Sequence, residues 1–292
     1  MVLLKNKGLK VINILVTLDH GYIGPLCVML RSLCESNPGA QLRVFVAHSS
    51  LDDGDFEKIN NAVSITCRIE NVFVPTDKFP GLPSSVRWPK EACYRIFAAH
   101  ILPDNLDRVL YLDPDMVVIN NIEQLYNIDL DGKYFAACTH MFEPMQIFSR
   151  ARLKMHSKSV YINSGMLLMD LQLLRREQMI EPVLDYFQEN RKRIYLFDQD
   201  IINGFYCGQI LAVNPLLYNL DERYFKLHNM NPKSKANIID YNWVKKNTVI
   251  IHFCGKKKPW QEGYKGKFGE LFYDRYAENP NNSRPEAESV LA

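Results

Sequence analysis

Two carboxylates stand two residues apart inside one apolar stretch, Val109-Leu-Tyr-Leu-Asp113-Pro-Asp115-Met-Val-Val-Ile119. The apolar run reads as a buried strand, and carboxylates beside it are costly unless they are paired or hold a metal. Pro114 cannot donate to a sheet ladder, so Asp113 and Asp115 are expected where the strand ends or turns. There they could share a hard divalent cation. The alternative is a polar turn between two strands. A second apolar run, Thr248-Val-Ile-Ile-His252-Phe253, ends on a potential metal ligand and continues into Cys254-Gly255-Lys256-Lys257-Lys258-Pro259-Trp260. Lysines after a glycine suit a phosphate; a solvated loop is the competing reading.

Three smaller groups complete the inventory of reactive types. Asp19-His20-Gly21-Tyr22 follows the first apolar run, and for His20 a solvent loop is a reasonable alternative. Asn163-Ser164-Gly165 interrupts another run. An Asn amide there can donate and accept toward a sugar hydroxyl, and Gly165 permits close approach to the backbone. Asp198-Gln199-Asp200 stands beside the apolar Ile201-Ile202; Asp198 is equally readable as a helix N-cap. Arg95, within an expected helix, is either a surface residue or a donor to phosphate.

The elements that must position these residues follow from periodicity. Strands are expected at 11–18, 42–47 and 69–74. Helices are expected at 22–34, where Leu26, Met29, Leu30 and Leu33 recur at helical spacing, and around 56–63, with Ser50, Asp52, Asp53 and Asp55 as cap and first turn. That alternation predicts a parallel sheet with right-handed crossovers, which binds ligands beyond the carboxyl ends of its strands. Residues 79–89 read as a long loop, 91–102 as a helix, 121–126 as a short helix and 135–138 as a strand. Residues 142–158 read as irregular and polar, 160–170 as a strand broken by small residues, and 171–190 as one helix. Residues 212–242 show no clear period, 248–253 form a last strand, and the polar stretch after Tyr276 is expected to be disordered.

The chain has 292 residues, 47% hydrophobic and 23% charged, with a net charge of +2. This suits one large α/β domain or two small ones and gives no case for nucleic acid. The seven cysteines are scattered without a C-x-x-C pair. That argues against a disulfide framework and suits a reducing compartment. No apolar stretch is long enough to span a bilayer. The N-terminal lysines precede a run that meets Asp19 and His20 too early for a signal-peptide core. The expected location is the cytoplasm, with at most peripheral contact at the inner face of a membrane.

Leu110-Tyr-Leu-Asp-Pro-Asp115, Asn163-Ser-Gly165, Asp198-Gln-Asp200, and His252-Phe-Cys-Gly255 with Lys258-Pro-Trp260, in this order, resemble glycosyltransferase family 8. The likeness is greatest to its bacterial branch of lipopolysaccharide galactosyl- and glucosyltransferases. It covers residues 11 to 273, expected as one domain, with 274–292 as a polar tail. The resemblance implies the GT-A nucleotide-sugar-binding fold, a Rossmann-like α/β domain with a mixed central sheet. It further implies transfer of a hexose from UDP-galactose or UDP-glucose, with retention, to a saccharide or glycolipid acceptor, and a dependence on Mn2+, or alternatively Mg2+. By position, Asp113, Asp115 and His252 would ligate the metal, and Thr17, Asp19 and Tyr22 would hold uridine. Arg95, Asn163, Asp198 and Gln199 would surround the sugar, with Gln199 beneath the anomeric carbon and Asp198 the chemically better nucleophile, engaged with sugar hydroxyls. Gly255 and Lys258 would close over the diphosphate. Two departures stand out: Gly21 replaces an Asn frequent in the uracil loop, and His140 stands where relatives can carry an acceptor-side acid.

Two rivals come from other classes. Asp113-Pro-Asp-Met-Val117 also satisfies the D-x-D-x-[TV] motif of haloacid-dehalogenase-type phosphatases, in which Asp113 would be a nucleophile. That family carries the motif near the chain start, whereas here two strand–helix units precede it. The non-enzymatic rival is a nucleotide-sugar-binding protein with no acceptor. A self-glucosylating protein is a variant within the resembled family.

Overall fold

The computed structural model describes residues 11–81, 89–230 and 237–277. The expected 79–89 loop falls largely, and the expected disordered tail almost wholly, outside the described residues. Nine strands are described, β1 (Val11–Thr17), β2 (Gln41–His48), β3 (Cys67–Phe73), β4 (Arg108–Leu112), β5 (Met116–Val118), β6 (Phe135–Cys138), β7 (Met166–Asp170), β8 (Ile210–Val213) and β9 (Ile250–His252). Seven form one sheet in the order β3-β2-β1-β4-β7-β6-β8. The first four run parallel, as expected. β7 is antiparallel to both β4 and β6, which makes the sheet mixed.

Alternate residues of the central strands enter opposite cores. Ile14, Val16, Leu110, Leu112 and Leu168 pack on one face, and Leu15, Phe45, Val109, Tyr111 and Leu167 on the other. A sheet buried on both faces has no need of polar alternation, which is why these strands read as continuous apolar runs. The helix Ile23–Ser36 lays Leu26, Met29, Leu30 and Leu33 on the first face. Asp52 and Asp55 close a capping box at the start of the helix Asp53–Asn61.

The last strand is present, within the expected 248–253. β9 does not join the main sheet; it pairs antiparallel with β5, with Met116 opposite His252. This small second sheet covers a third apolar cluster that includes Val117, Ile251, Phe225 and Phe268.

The helices differ from expectation in four places. The expected helix at 91–102 is two short ones, Lys90–Tyr94 and Ala98–Ile101, and the one at 171–190 breaks into Leu171–Glu177 and Ile180–Asn190. At that second break the Gln178 side chain is drawn inward to the Ile96 carbonyl. Residues 142–158, expected to be irregular, contain the helix Glu143–Leu153. Residues 212–242, which show no period, contain the end of β8 and the helices Pro215–Tyr218 and Glu222–Met230; a third, Tyr241–Asn247, starts at their end. Among the described residues no helix is long and apolar enough to cross a membrane.

A buried ion pair joins the 143–153 helix to the helix Phe197–Phe205. Both oxygens of fully buried Asp200 accept from Arg152, at 2.7 and 2.8 Å. The same carboxylate accepts from the Tyr161 hydroxyl at 2.6 Å and from the backbone N–H groups of Tyr195 and Leu196. Asp200 therefore serves the helix start, and Asp198, read as a possible cap, is released from that duty. Arg152→Ala leaves the buried carboxylate without its cation and should lower stability by about 3–5 kcal/mol, read as a fall in the denaturant midpoint.

Candidate active site

β1 and β4 are parallel neighbours, so Thr17 and Asp113 leave the sheet at the same edge. Asp113 follows the last residue of β4, and Asp115 precedes the first residue of β5. The chain turns at Pro114, as expected from sequence. Asp113 N–H donates to the Gly165 carbonyl at 2.8 Å, and Phe253 N–H donates to the Asp115 carbonyl at 3.0 Å. The β5–β9 register thus delivers His252 to the acids. His252 Nε2 stands 3.2 Å from Asp115 Oδ1 and 3.7 Å from Asp113 Oδ2.

The hydrogen bonds around His252 settle its tautomer. Gly165 N–H can only donate, so it faces Asn163 Oδ1, at 3.0 Å. The same oxygen accepts from Asn219 Nδ2 at 3.0 Å, which turns Asn219 Oδ1 toward His252 Nδ1 at 2.9 Å. In the neutral imidazole Nδ1 carries the proton, and the bare Nε2 faces two carboxylates. Buried Asp115 Oδ1 has no hydrogen-bond partner. Lone pairs converging in this way need a cation between them, and one nitrogen with two carboxylates is a donor set that fits a divalent metal. A cation already leans on the cluster. Lys258 Nζ lies 2.5 Å from Asp115 Oδ2 and 2.8 Å from the Phe253 carbonyl. Burial opposes the charge on Asp115; the Lys258 ammonium, and His252 whenever its ring is protonated, favour it and hold the carboxyl below the usual range.

Arg95 ties this cluster to the next. It follows the helix Lys90–Tyr94 and lies buried with its guanidinium 4.4 Å from the centre of the Tyr111 ring. Its nitrogens lie 2.8 Å from Asp113 Oδ1 and 3.3 Å from Asp198 Oδ2. Burial disfavours the guanidinium charge, and the Asp113 and Asp198 carboxylates restore it and raise its pKa. Asp198 also accepts from the Ser164 hydroxyl at 2.8 Å. Gln199 Oε1 accepts from Asn163 Nδ2 at 3.1 Å and Ser164 N–H at 3.3 Å, while its Nε2 donates to the Tyr161 hydroxyl at 2.9 Å. Arg95, Asn163, Asp198 and Gln199 are thus brought together, adjoining the acids.

The remaining expected residues are placed less uniformly. Thr17 is buried, its hydroxyl 3.2 Å from the Tyr111 hydroxyl, which donates to Asp113 Oδ1 at 2.6 Å. Asp19 caps the turn His20–Tyr22 by accepting from Gly21 N–H. Tyr22 meets Trp260 edge to face, with centroids 6.0 Å apart. His20 is not a plain loop residue; it pairs with Asp55 at 2.9 Å. Gly255 and Lys258 follow β9, but Lys258 is anchored on Asp115 and not loose on its loop.

Tyr111, Tyr161 and Asn219 were not anticipated. Tyr111 could have been: with a period of 2 it shares a face with Asp113. Asn219 sits in the stretch without period and carries no sequence signal. Its backbone carbonyl also takes the Nε2 proton of His140. A second cluster, His140, Asp221 and Cys254, could also hold a metal by proximity. Asp221 is already engaged there: its Oδ2 accepts from the Cys254 thiol at 3.3 Å, with Arg223 at 3.6 Å and His140 Nδ1 at 3.2 Å.

Residues 13–263 match the family model described as "Glycosyl transferase family 8". The chain is 30% identical over 254 residues to a lipopolysaccharide 1,2-glucosyltransferase of Escherichia coli K12, covering 86% of this chain and 73% of that protein. It is 24% identical to a lipopolysaccharide 1,3-galactosyltransferase of Salmonella typhimurium, over 85% of this chain and 72% of that one. Among solved structures, the galactosyltransferase LgtC in complex with donor and acceptor sugar analogs superposes with a TM-score of 0.79, at 22% identity, over 91% of this chain and 95% of that one.

Gly165 gives a direct check on the site's packing. A Cβ there would meet His252 Cε1, and would lie 2.7 Å from Asp113 Oδ2 and 3.0 Å from Asn163 Oδ1. Asp113 is held by Arg95 and Tyr111, so it cannot withdraw freely. Gly165→Ala should cost about 1–3 kcal/mol of stability and weaken divalent-cation binding in the protein that still folds. Thermal unfolding and a Mn2+ titration on the same sample measure the two effects.

Proposed function

The chain belongs to glycosyl transferase family 8 and has the GT-A fold, and from that premise we propose that it transfers galactose or glucose from a UDP-sugar to a saccharide or glycolipid acceptor, with retention. Membership of the family removes the phosphatase rival. Residues 11–273 are the proposed catalytic unit and Mn2+ the proposed cofactor, with Mg2+ as the alternative. The observation that carries the reading is the convergence of Asp113, Asp115 and His252, with an orphaned carboxylate oxygen among them, directly beside the Arg95–Asp198–Gln199 group. The similarity to lipopolysaccharide glucosyl- and galactosyltransferases supports a hexose donor and leaves the two epimers equal.

In this reading Asp113, Asp115 and His252 hold the metal, which when bound supplies Lewis-acid neutralisation of the departing diphosphate. Asn219 fixes the His252 ring through Nδ1. Thr17, Asp19 and Tyr22 form the uridine end at the edge of β1. Lys258 and Gly255 belong to the diphosphate: an ammonium held near Asp115 can turn to phosphate as donor arrives. Arg95, Asn163, Asp198 and Gln199 line the sugar. Asp198 is engaged by Arg95 and Ser164, which blunts it as a nucleophile, and the Gln199 amide is a poor one. Attack from the leaving group's own face follows, with the Gln199 amide dipole stabilising positive charge on the sugar.

The test is a screen of nucleotide sugars for Mn2+-dependent release of UDP. Asp113→Asn and Asp115→Asn should stay folded and lose that release, because an amide offers one weaker neutral oxygen. Wild-type turnover in both variants would refute the assignment.

A second prediction separates two cationic partners of Asp115. His252→Ala should weaken Mn2+ binding, with activity partly restored by excess metal. Lys258→Ala removes a competitor for Asp115, so it should bind Mn2+ alone at least as tightly as wild type. It should bind UDP more weakly, and extra metal should not restore that loss. Calorimetric titrations of metal and nucleotide, run separately, distinguish the two.

A further inference from the structure

The helix Glu143–Leu153 is built inside out. Its inward stripe is Gln146, Ser149 and Leu153, and the first two are only 4% and 3% exposed. Met145, Ile147 and Phe148 face solvent at 54%, 56% and 62% exposure. A surface helix ordinarily shows the reverse pattern. The inward polar groups have a structural reason. Gln146 Nε2 donates to Thr139 Oγ1 and the Tyr161 carbonyl, and Gln146 Oε1 accepts from Tyr161 N–H. The outward apolar groups have none within the described residues.

The face continues beyond the helix. Met145, Phe148 and Arg152 lie along one stripe at i, i+3 and i+7. The Arg152 guanidinium stands 4.5 Å from the centre of the Tyr195 ring, and Arg152 also donates to the Arg193 carbonyl. This brings the exposed Leu196 and the exposed cations Arg191 and Lys192 to the end of the apolar stripe. The surrounding charge is mainly positive. Glu143 at the helix start is paired with Arg150, and Arg152 is held by Asp200; from 144 to 169 there is no other Asp or Glu, and Lys154 and Lys158 are exposed. Exposed Met, Ile, Phe and Leu fringed by Arg and Lys match the two demands of an anionic bilayer: apolar side chains for the acyl boundary and cations for the headgroups. A second copy of the chain would bring the same cations against themselves.

We propose that the outer face of the 143–153 helix, with the 191–196 segment, docks on an anionic membrane surface. The idea rests on the glycolipid-acceptor reading above. The inward side of the same helix holds Tyr161, which is hydrogen-bonded to Gln199, so docking would place the sugar-binding group about one helix diameter, roughly 10 Å, from the lipid. A lipid-borne acceptor would then be met at the membrane.

Vesicle flotation of the whole chain tests this, with vesicles of phosphatidylcholine alone or with added phosphatidylglycerol. Wild type should float with the anionic vesicles and not with the neutral ones, and high salt should weaken the binding. Ile147→Ser with Phe148→Ser, and separately Arg191→Glu with Lys192→Glu, should each reduce partitioning roughly tenfold. Both pairs should keep wild-type release of UDP from soluble donor, which shows that the fold and site are intact. Wild type that stays with the soluble fraction, or variants that float like wild type, would overturn the proposal. So would a wild-type dimer in sedimentation velocity that the serine pair converts to monomer, because a second copy would then cover the face. Failure of UDP release in wild type would count against the transferase reading alone and leave the flotation result readable.

Discussion

Three carboxylates, Asp113, Asp115 and Asp198, converge at one edge of a buried sheet, and their charge must be balanced there. The balancing cations come from separate parts of the chain. Arg95 spans Asp113 and Asp198 at 2.8 and 3.3 Å, and Lys258 reaches Asp115 at 2.5 Å. His252 stands between the first two acids. Each of these groups is placed by a backbone constraint: a helix end for Arg95, the β5–β9 register for His252, the loop after β9 for Lys258. The site is therefore a balance of charges whose geometry is set by the fold, and a metal ion is a natural further member of it.

The same balance divides labour within similar residue types. Asp200, two positions after Asp198, never reaches the site; Arg152 and the Tyr161 hydroxyl consume it as structure. Asp221 is likewise taken up by the Cys254 thiol, the Tyr224 N–H and Arg223. What distinguishes Asp115 from these is an oxygen left without a donor. Among these acids an unsatisfied buried oxygen singles out Asp115, where residue type alone does not.

The sequence made the acids, the strands around them and the family legible because these depend on local features. An apolar run broken by Asp-Pro-Asp is a strand ending, and the strand–helix rhythm of the first third is a parallel sheet. Asn163, Asp198, Gln199 and His252 entered through short motifs whose order is specific. Partnerships across the fold were not legible. Nothing near Asn219 indicates that it orients His252, 33 positions away. The helix at 143–153 was missed because its apolar residues do not form one stripe: Leu153 is buried, whereas Met145, Ile147 and Phe148 lie on the exposed side. The last strand was found, but its placement beside β5 depends on which edge is free, and a single strand's sequence does not encode that.

The pairing of β5 with β9 has a consequence for synthesis. The acids of the β4–β5 turn leave the ribosome early, together with Arg95, whereas Lys258 follows Asp115 by 143 positions. For more than a third of the chain's translation the nascent sheet carries Asp115 without the Lys258 ammonium. Ribosomes append residues at roughly 5–20 per second, so that interval lasts on the order of ten seconds. Until β9 emerges, the half-made domain holds an uncompensated acidic edge and an unpaired strand beside it. Such an edge is open to premature capture of a cation or to pairing with a neighbouring chain. The closing strand thus completes the site and ends the exposure in a single event.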